Sequence, residues 1–293
     1  MARLVLLSFL LAACASAQEP DTLVAADGWR SSLQASLAGN QSAYSNWQEG
    51  GVSALALTGG VDGQFDRVVG RVLTTQAFRL AYGVLRQDTL DLRKALDVIR
   101  YVGTAELASE DALRPSASLS ARTQFAAGFD ADPDPERYPG LPVVDGQQLK
   151  VSDAFSPLVL GQSIGVAYRP GGGFVARTGV GLKETVVGIE RLRPVYGNAL
   201  DQPVRVEAGL DLELALEREV MENVTFKSRL ATFQGFGQIG DQAPDALFEN
   251  VLILKVNDLL NVTVDAAALY DADISQDVQL REVVSVGLAV DLM

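Results

Sequence analysis

The sequence predicts an all-β fold, a transmembrane antiparallel up-and-down β-barrel of about twelve strands, from three observations. Apolar and polar residues alternate with period two along most of 28–293. The alternating segments run to about 10–15 residues, long beside the ~5–6 of a globular strand and suited to a tilted membrane-crossing one. The joins between them are long and short in turn.

Ahead of the first strand, Met1–Ala17 reads as an export leader. Arg3 gives a minimal positive start, Leu4–Ala13 an apolar stretch and Ala15-Ser16-Ala17 an A-x-A cleavage site. Leu11-Ala12-Ala13-Cys14 has the form of a lipobox, in which Cys14 would be lipidated and begin the mature chain, and both readings stay open. Either way the chain is expected to leave the cytoplasm, with 18–27 a short periplasmic segment and 28–293 the barrel. No later segment offers the ~18–20 consecutive apolar residues of a membrane-spanning helix.

The strands are expected at 28–38, 52–61, 69–84, 95–107, 114–127, 158–169, 174–187, 204–219, 223–234, 246–257, 259–270 and 281–292. In the fourth, Leu90–Ile99 also reads as a short amphipathic helix. In the fifth, Ala117, Leu119, Ala121 and Phe125 alternate with Ser116, Ser118, Ser120, Arg122 and Gln124. The eighth is the clearest. Val204, Val206, Ala208, Leu210, Leu212, Leu214 and Leu216 share one face, with Arg205, Glu207, Asp211, Glu213, Glu217 and Glu219 on the other. Successive strand side chains point to opposite faces, whereas a helix would scatter those charges around its circumference. The last strands repeat the pattern with Val262, Val264 and Ala266, and then with Val284, Val286, Leu288 and Val290.

Joins at 39–51, 85–94, 128–157, 188–203, 235–245 and 271–280 are the long set, and 62–68, 108–113, 170–173, 220–222 and 258 the short set. A meander with loops at one end and tight turns at the other is the outer-membrane plan, turns in the periplasm and loops outside. Aromatic residues fall at both ends of the apolar faces. Tyr82, Phe125, Phe248 and Tyr270 sit at the loop end, with Trp29, Tyr168 and Phe174 at the turn end, as interfacial belts do. Aromatic residues capping a soluble sandwich core would give the same placement.

The polar faces supply the candidate site. Arg205, Glu207, Asp211, Glu213 and Glu217 are expected to line the lumen, facing Lys227 and Arg229 on the next strand. Opposite charges on neighbouring strands offset like-charge repulsion along a row. The same residues could close the barrel as an ion-pair lattice or line a selective pore. A barrel of about twelve strands is narrow enough for side chains to fill.

Composition narrows the chemistry. The formal net charge of −13, without a basic run, argues against nucleic acid as a partner. There is no histidine, and the sole cysteine is Cys14 in the leader. Ser–His chemistry is therefore closed, and no catalytic residue, cofactor or metal is expected. Asp130, Asp132, Asp134 and Glu136 place alternate carboxylates in one loop, a calcium-like pattern spoiled by Pro133 and Pro135 and by the lack of a Gly turn. In the first loop, Tyr44 and Trp47 would anchor the chain at the interface while Gly50-Gly51 turns it; Asn46 and Trp47 could also form a contact surface.

Several blocks then carry a resemblance: Tyr44-Ser45-Asn46-Trp47-Gln48-Glu49-Gly50-Gly51, Leu80-Ala81-Tyr82-Gly83, Thr123-Gln124-Phe125-Ala126-Ala127-Gly128, Val151-Ser152-Asp153-Ala154-Phe155-Ser156-Pro157, Asn223-Val224-Thr225-Phe226, Tyr270-Asp271-Ala272-Asp273 and Arg281–Leu288. Together, over roughly 28–292, the chain resembles domain of unknown function 3078, an uncharacterised outer-membrane β-barrel family of Bacteroidetes-type bacteria. The resemblance implies a bacterial outer-membrane location and brings no site residue. The expected partners are outer-membrane lipid and the barrel-assembly machinery, with no solute indicated. The expected role is a narrow passive channel or transporter, or a structural barrel with a plugged lumen and contact-making outer loops.

Overall fold

The computed structural model describes residues 28–43, 53–87, 91–109, 111–135, 138, 141–144 and 146–293. The leader, the 18–27 segment, Tyr44–Gly51 and Glu136 lie outside them. Twelve antiparallel strands close into a barrel: β1 (Gly28–Ser42), β2 (Ala54–Val69), β3 (Val72–Gln87), β4 (Arg93–Leu107), β5 (Leu113–Thr123), β8 (Leu158–Gly171), β9 (Phe174–Val186), β10 (Val204–Met221), β11 (Val224–Gly235), β12 (Asp245–Lys255), β13 (Leu260–Asp271) and β14 (Ser275–Asp291). A separate two-stranded hairpin, β6 (Gly128–Asp130) with β7 (Leu149–Ser152), sits within the longest loop. Each barrel strand pairs with its predecessor, and β14 returns to β1 between Gln34↔Asp291 and Gly39↔Val286. The seam between β1 and β14 is the shortest ladder of the barrel, six pairs long.

Pairing fixes the faces. Leu210, Leu212 and Leu214 point outward with Val180 and Leu182 of β9 and Ile164 of β8, and Ile164 is 77% exposed. Leu57, Leu119, Phe248, Val284, Val286 and Leu288 extend this exposed apolar surface around the barrel. Trp29 and Tyr168 stand on the outside at the turn end, and Tyr82 and Phe248 at the loop end. The guanidinium of Arg67 lies 5.0 Å from the Trp29 ring centroid. The interior, by contrast, is polar: Thr104, Glu106, Arg114 and Thr185 are buried there. This inversion of a soluble protein removes the sandwich-core reading of the aromatics.

At the turn end, strands reverse through Gly70-Arg71, Gly172-Gly173 and Glu222-Asn223. Gly173 has φ +77°, and a Cβ there would fall on the carbonyl oxygen of Glu217, so only glycine fits. Asn223, at φ 64°, is the tolerated non-glycine equivalent.

Several element bounds differ from the sequence reading: β1 runs on to Ser42, not 38, and β3 spans Val72–Gln87, not 69–84. Residues 62–68, expected as a join, belong to β2, because Asp62, Gln64 and Asp66 are lumen-facing strand residues and not turn formers. β5 stops at Thr123, not 127. The N–H groups of Phe125 and Ala126 bond the Asp97 carboxylate at 2.7 and 2.9 Å, drawing the chain out of the sheet. The last loop shrinks to 272–274, since β14 begins at Ser275. The ambiguous 90–99 stretch is strand from Arg93 onward.

Two of the loops fold into a cap at the loop end. Gln124 Nε2 donates to the carbonyls of Asp153 and Ser156 at 2.7 and 3.0 Å, tying the two ends of the β6–β7 loop together. A short 3-10 helix, Glu190–Tyr196, lies beside it and buries Leu192 completely. Tyr196 Oη donates to the Val151 carbonyl at 2.8 Å, and burial pushes its phenol up to about 12, which keeps the proton on this donor.

Candidate functional site in the barrel lumen

The lumen holds a continuous circuit of ion pairs. Glu106 of β4 accepts from Arg169 of β8 at 2.6 and 2.8 Å, and from Arg177 of β9 at 3.2 and 3.3 Å. Arg177 also donates to Glu213 of β10 at 2.7 Å. Glu213 accepts from Arg229 of β11 at 2.6 and 2.9 Å. Arg229 reaches Glu249 of β12 at 3.4 Å, and Glu249 takes the fork of Arg100 at 2.6 and 3.1 Å. Arg100 is back on β4, so the circuit closes on the strand where it began.

The last pair has a particular geometry. β4 and β12 are separated by five strands in either direction around the barrel, so Arg100 and Glu249 meet across its full width. On one side of that bar, Arg177, Glu213 and Arg229 occupy the section. On the other side, Arg79 of β3 lies 3.8 Å from Asp265 of β13, which also accepts from Arg281 of β14 at 2.8 Å. Arg79, Arg100 and Arg122 are direct cross-strand neighbours on β3, β4 and β5. Like charges so placed repel, and Glu249 and Asp265 offset that repulsion from the opposite wall.

These side chains form a septum at mid-height. A chamber of about 940 Å³ lies toward the turn end, reaching Arg30, Gly173 and Asp291 at the rim. A chamber of about 450 Å³ lies toward the loop end, bounded by Arg122, Gln124, Tyr196, Asp211 and Asp271. Arg177, Glu213 and Arg229 line both. Part of the wall of the smaller chamber on β5, β8 and β9 is built of small residues, Ser118, Ser120, Gly161, Ser163 and Gly181, which leaves space there.

Of the residues read from the sequence, Glu213 and Arg229 lie in the septum. Arg205 and Glu207 form a second cluster nearer the loops, where Arg205 meets Asp273 at 2.6 Å and Glu207 at 3.2 Å. Lys183 joins that cluster by pairing with Glu207 at 3.3 Å and with Asp245. Asp211 accepts from Ser163 Oγ at 3.2 Å and keeps Oδ1 without a partner. Glu217 and Lys227 pair at 2.7 Å on the turn-end rim, well exposed and apart from the septum. The strongest contributors, Arg100, Glu106, Arg177 and Glu249, escaped the sequence reading. Their signal was a lone charge on the polar face of a strand, and nothing in one strand shows which strand stands opposite.

Asp130 of the acidic loop serves the chain itself. Asp130 accepts from Tyr138 Oη at 2.7 Å and from the Asp132 N–H at 3.1 Å. Among the described residues no group of three carboxylates is placed to hold a metal ion.

A family profile described as protein of unknown function (DUF3078) matches residues 39–129, from the end of β1 into β6. The match takes in the Ser45–Gly51, Leu80–Gly83 and Thr123–Gly128 blocks, while the later blocks lie beyond it. No curated protein matches the chain. Solved structures similar to it include the translocator domain of the autotransporter NalP from Neisseria meningitidis, at TM-score 0.38 and 8% identity, covering 92% of this chain and 90% of that one. An outer-membrane channel from Pseudomonas putida F1 follows, at TM-score 0.39 and 10% identity over 88% and 93%. The Pseudomonas putida toluene transporter TodX has TM-score 0.31 and 10% identity over 91% and 89%. At such values the likeness assigns no role, and the strand pairing itself establishes the barrel.

Proposed function

We propose that this chain is an outer-membrane barrel with a shut lumen, acting through its two chambers and its folded loop cap and not as an open diffusion pore. The observation that carries this is the Arg100–Glu249 fork between opposite strands, within a circuit of charges that crosses the lumen. The exposed apolar outer face supports lipid as its surroundings. Exposing so much hydrocarbon to water is costly, and a closed barrel satisfies its backbone without water.

A second reading, a narrow gated transporter, is favoured by the presence of a chamber on each side of one septum. Planar-bilayer recording separates the two. The wild-type barrel is expected to give no steady conductance, and Arg100→Ala with Glu249→Ala to give discrete openings. Steady ohmic current through the wild type would overturn the shut-lumen reading, and wild-type openings triggered by one class of solute would favour the transporter. Membrane fractionation tests the location: the chain is expected in the outer membrane, with gel mobility that changes on boiling. A soluble, unshifted chain would remove the reading altogether.

A further inference from the structure

We propose that Arg114 anchors an oxyanion-binding site in the turn-end chamber. Arg114 lies on the lumen face of β5, opposite Ala167 of β8, and is only 6% exposed. It lines the 940 Å³ chamber, and its Nε is buried without a partner among the described residues. Among the described residues no carboxylate or carbonyl pairs with its guanidinium. The adjacent acid on β4 is Glu106, which stands opposite Ser116, one lumen-facing position from Arg114. Both Glu106 oxygens are already taken by Arg169 and Arg177.

Arg169 of β8 and Arg177 of β9 thus share the Glu106 carboxylate, with Glu213 shared between Arg177 and Arg229, and Arg114 of β5 has no part in that pairing among the described residues. A buried cation without a counter-charge is costly, and proteins pair it or give it a ligand. A guanidinium fork donates to two oxygens of one anion, so the missing partner is a phosphate or a carboxylate group. The chamber reaches the turn-end rim, so a small solute bearing that group enters from there whether or not the septum opens.

The test uses the purified full-length barrel in detergent, titrated with sodium phosphate against chloride at constant ionic strength. Calorimetry is expected to show saturable one-to-one binding, with a raised thermal midpoint, as ligation of the folded state alone requires. Arg114→Gln should weaken binding at least about tenfold, roughly the loss of one charge-assisted contact, and abolish the midpoint shift. Arg30→Gln removes a cation from the mouth of the same chamber and should keep both effects. Sulfate and acetate arms assign the group as tetrahedral or planar by which binds tighter. Absence of saturable binding, or equal loss in both variants, overturns the site, the latter by showing only a general field. Without phosphate, Arg114→Gln should unfold no earlier than wild type. An earlier midpoint would reveal a partner for Arg114 within the protein and overturn the proposal.

Discussion

β10 and β5 both present charges to the lumen, yet those charges meet different fates. On β10, Arg205, Glu207, Glu213 and Glu217 are neutralised by residues of neighbouring strands or loops, and Asp211 is the exception, held by the Ser163 hydroxyl. On β5, the lumen face reads Arg114, Ser116, Ser118, Ser120, Arg122. The Ser118 hydroxyl meets Ser163 Oγ at 2.8 Å, while neither arginine has an ion-pair partner among the described residues. The strands beside β10 fill the lumen with Arg177, Lys183 and Arg229, whereas β8 beside β5 presents Gly161, Ser163, Gly165 and Ala167 between Val159 and Arg169. β8 thus supplies the space, while β4 on the other flank of β5 carries Arg100 and Glu106 of the septum. Charge that is paired holds the barrel in shape; charge left over is available to a ligand.

Three substitutions sharpen that contrast. The largest expected effect is at the shared acid. Glu213→Ala strips Arg177 and Arg229 of their common partner and should cost about 3 kcal/mol, near the low end for breaking a buried pair because the lumen admits water. Guanidinium unfolding of the refolded barrel reads this out, and a loss under half that value would show that the circuit is not cohesive. Next comes the outer face. Ile164→Arg should cost about 2–3 kcal/mol in a bilayer, as a cation on the lipid face does near mid-depth. No penalty in liposomes would contradict the lipid-facing assignment of β8. The smallest is at the rim. Lys227→Gln removes the exposed partner of Glu217 and should shift stability by less than about 1 kcal/mol. A larger shift would place that pair in the septum after all.

The strands were legible because their alternation is local. Leu210 and Asp211 face opposite ways whatever surrounds them, and the long β10 announced itself without a partner. Bounds failed where polar residues had two meanings. Asp62, Gln64 and Asp66 resemble a turn until their neighbours show that they line the lumen. Residues 124–127 continue the alternation of β5 but leave the sheet, because Asp97 on another strand captures their N–H groups.

The candidate site was legible in half. Glu213 and Arg229 lie on adjacent strands, where cross-strand pairing can be read from the order of the chain. Arg100 and Glu249 are 149 residues apart and face one another only because twelve strands close into a ring.

The sequence by itself therefore determined the strand periodicity and the division into a greasy and a charged face, since each follows from neighbours along the chain; the alternation of long and short joins broke at 272–274, which is three residues long. Tertiary structure decided which charges meet, that the lumen is crossed by a septum, and that Arg114 has no partner among the described residues. The physical reason is that ion pairing acts through space over a few ångströms, and only the closure of the barrel brings distant strands within that reach.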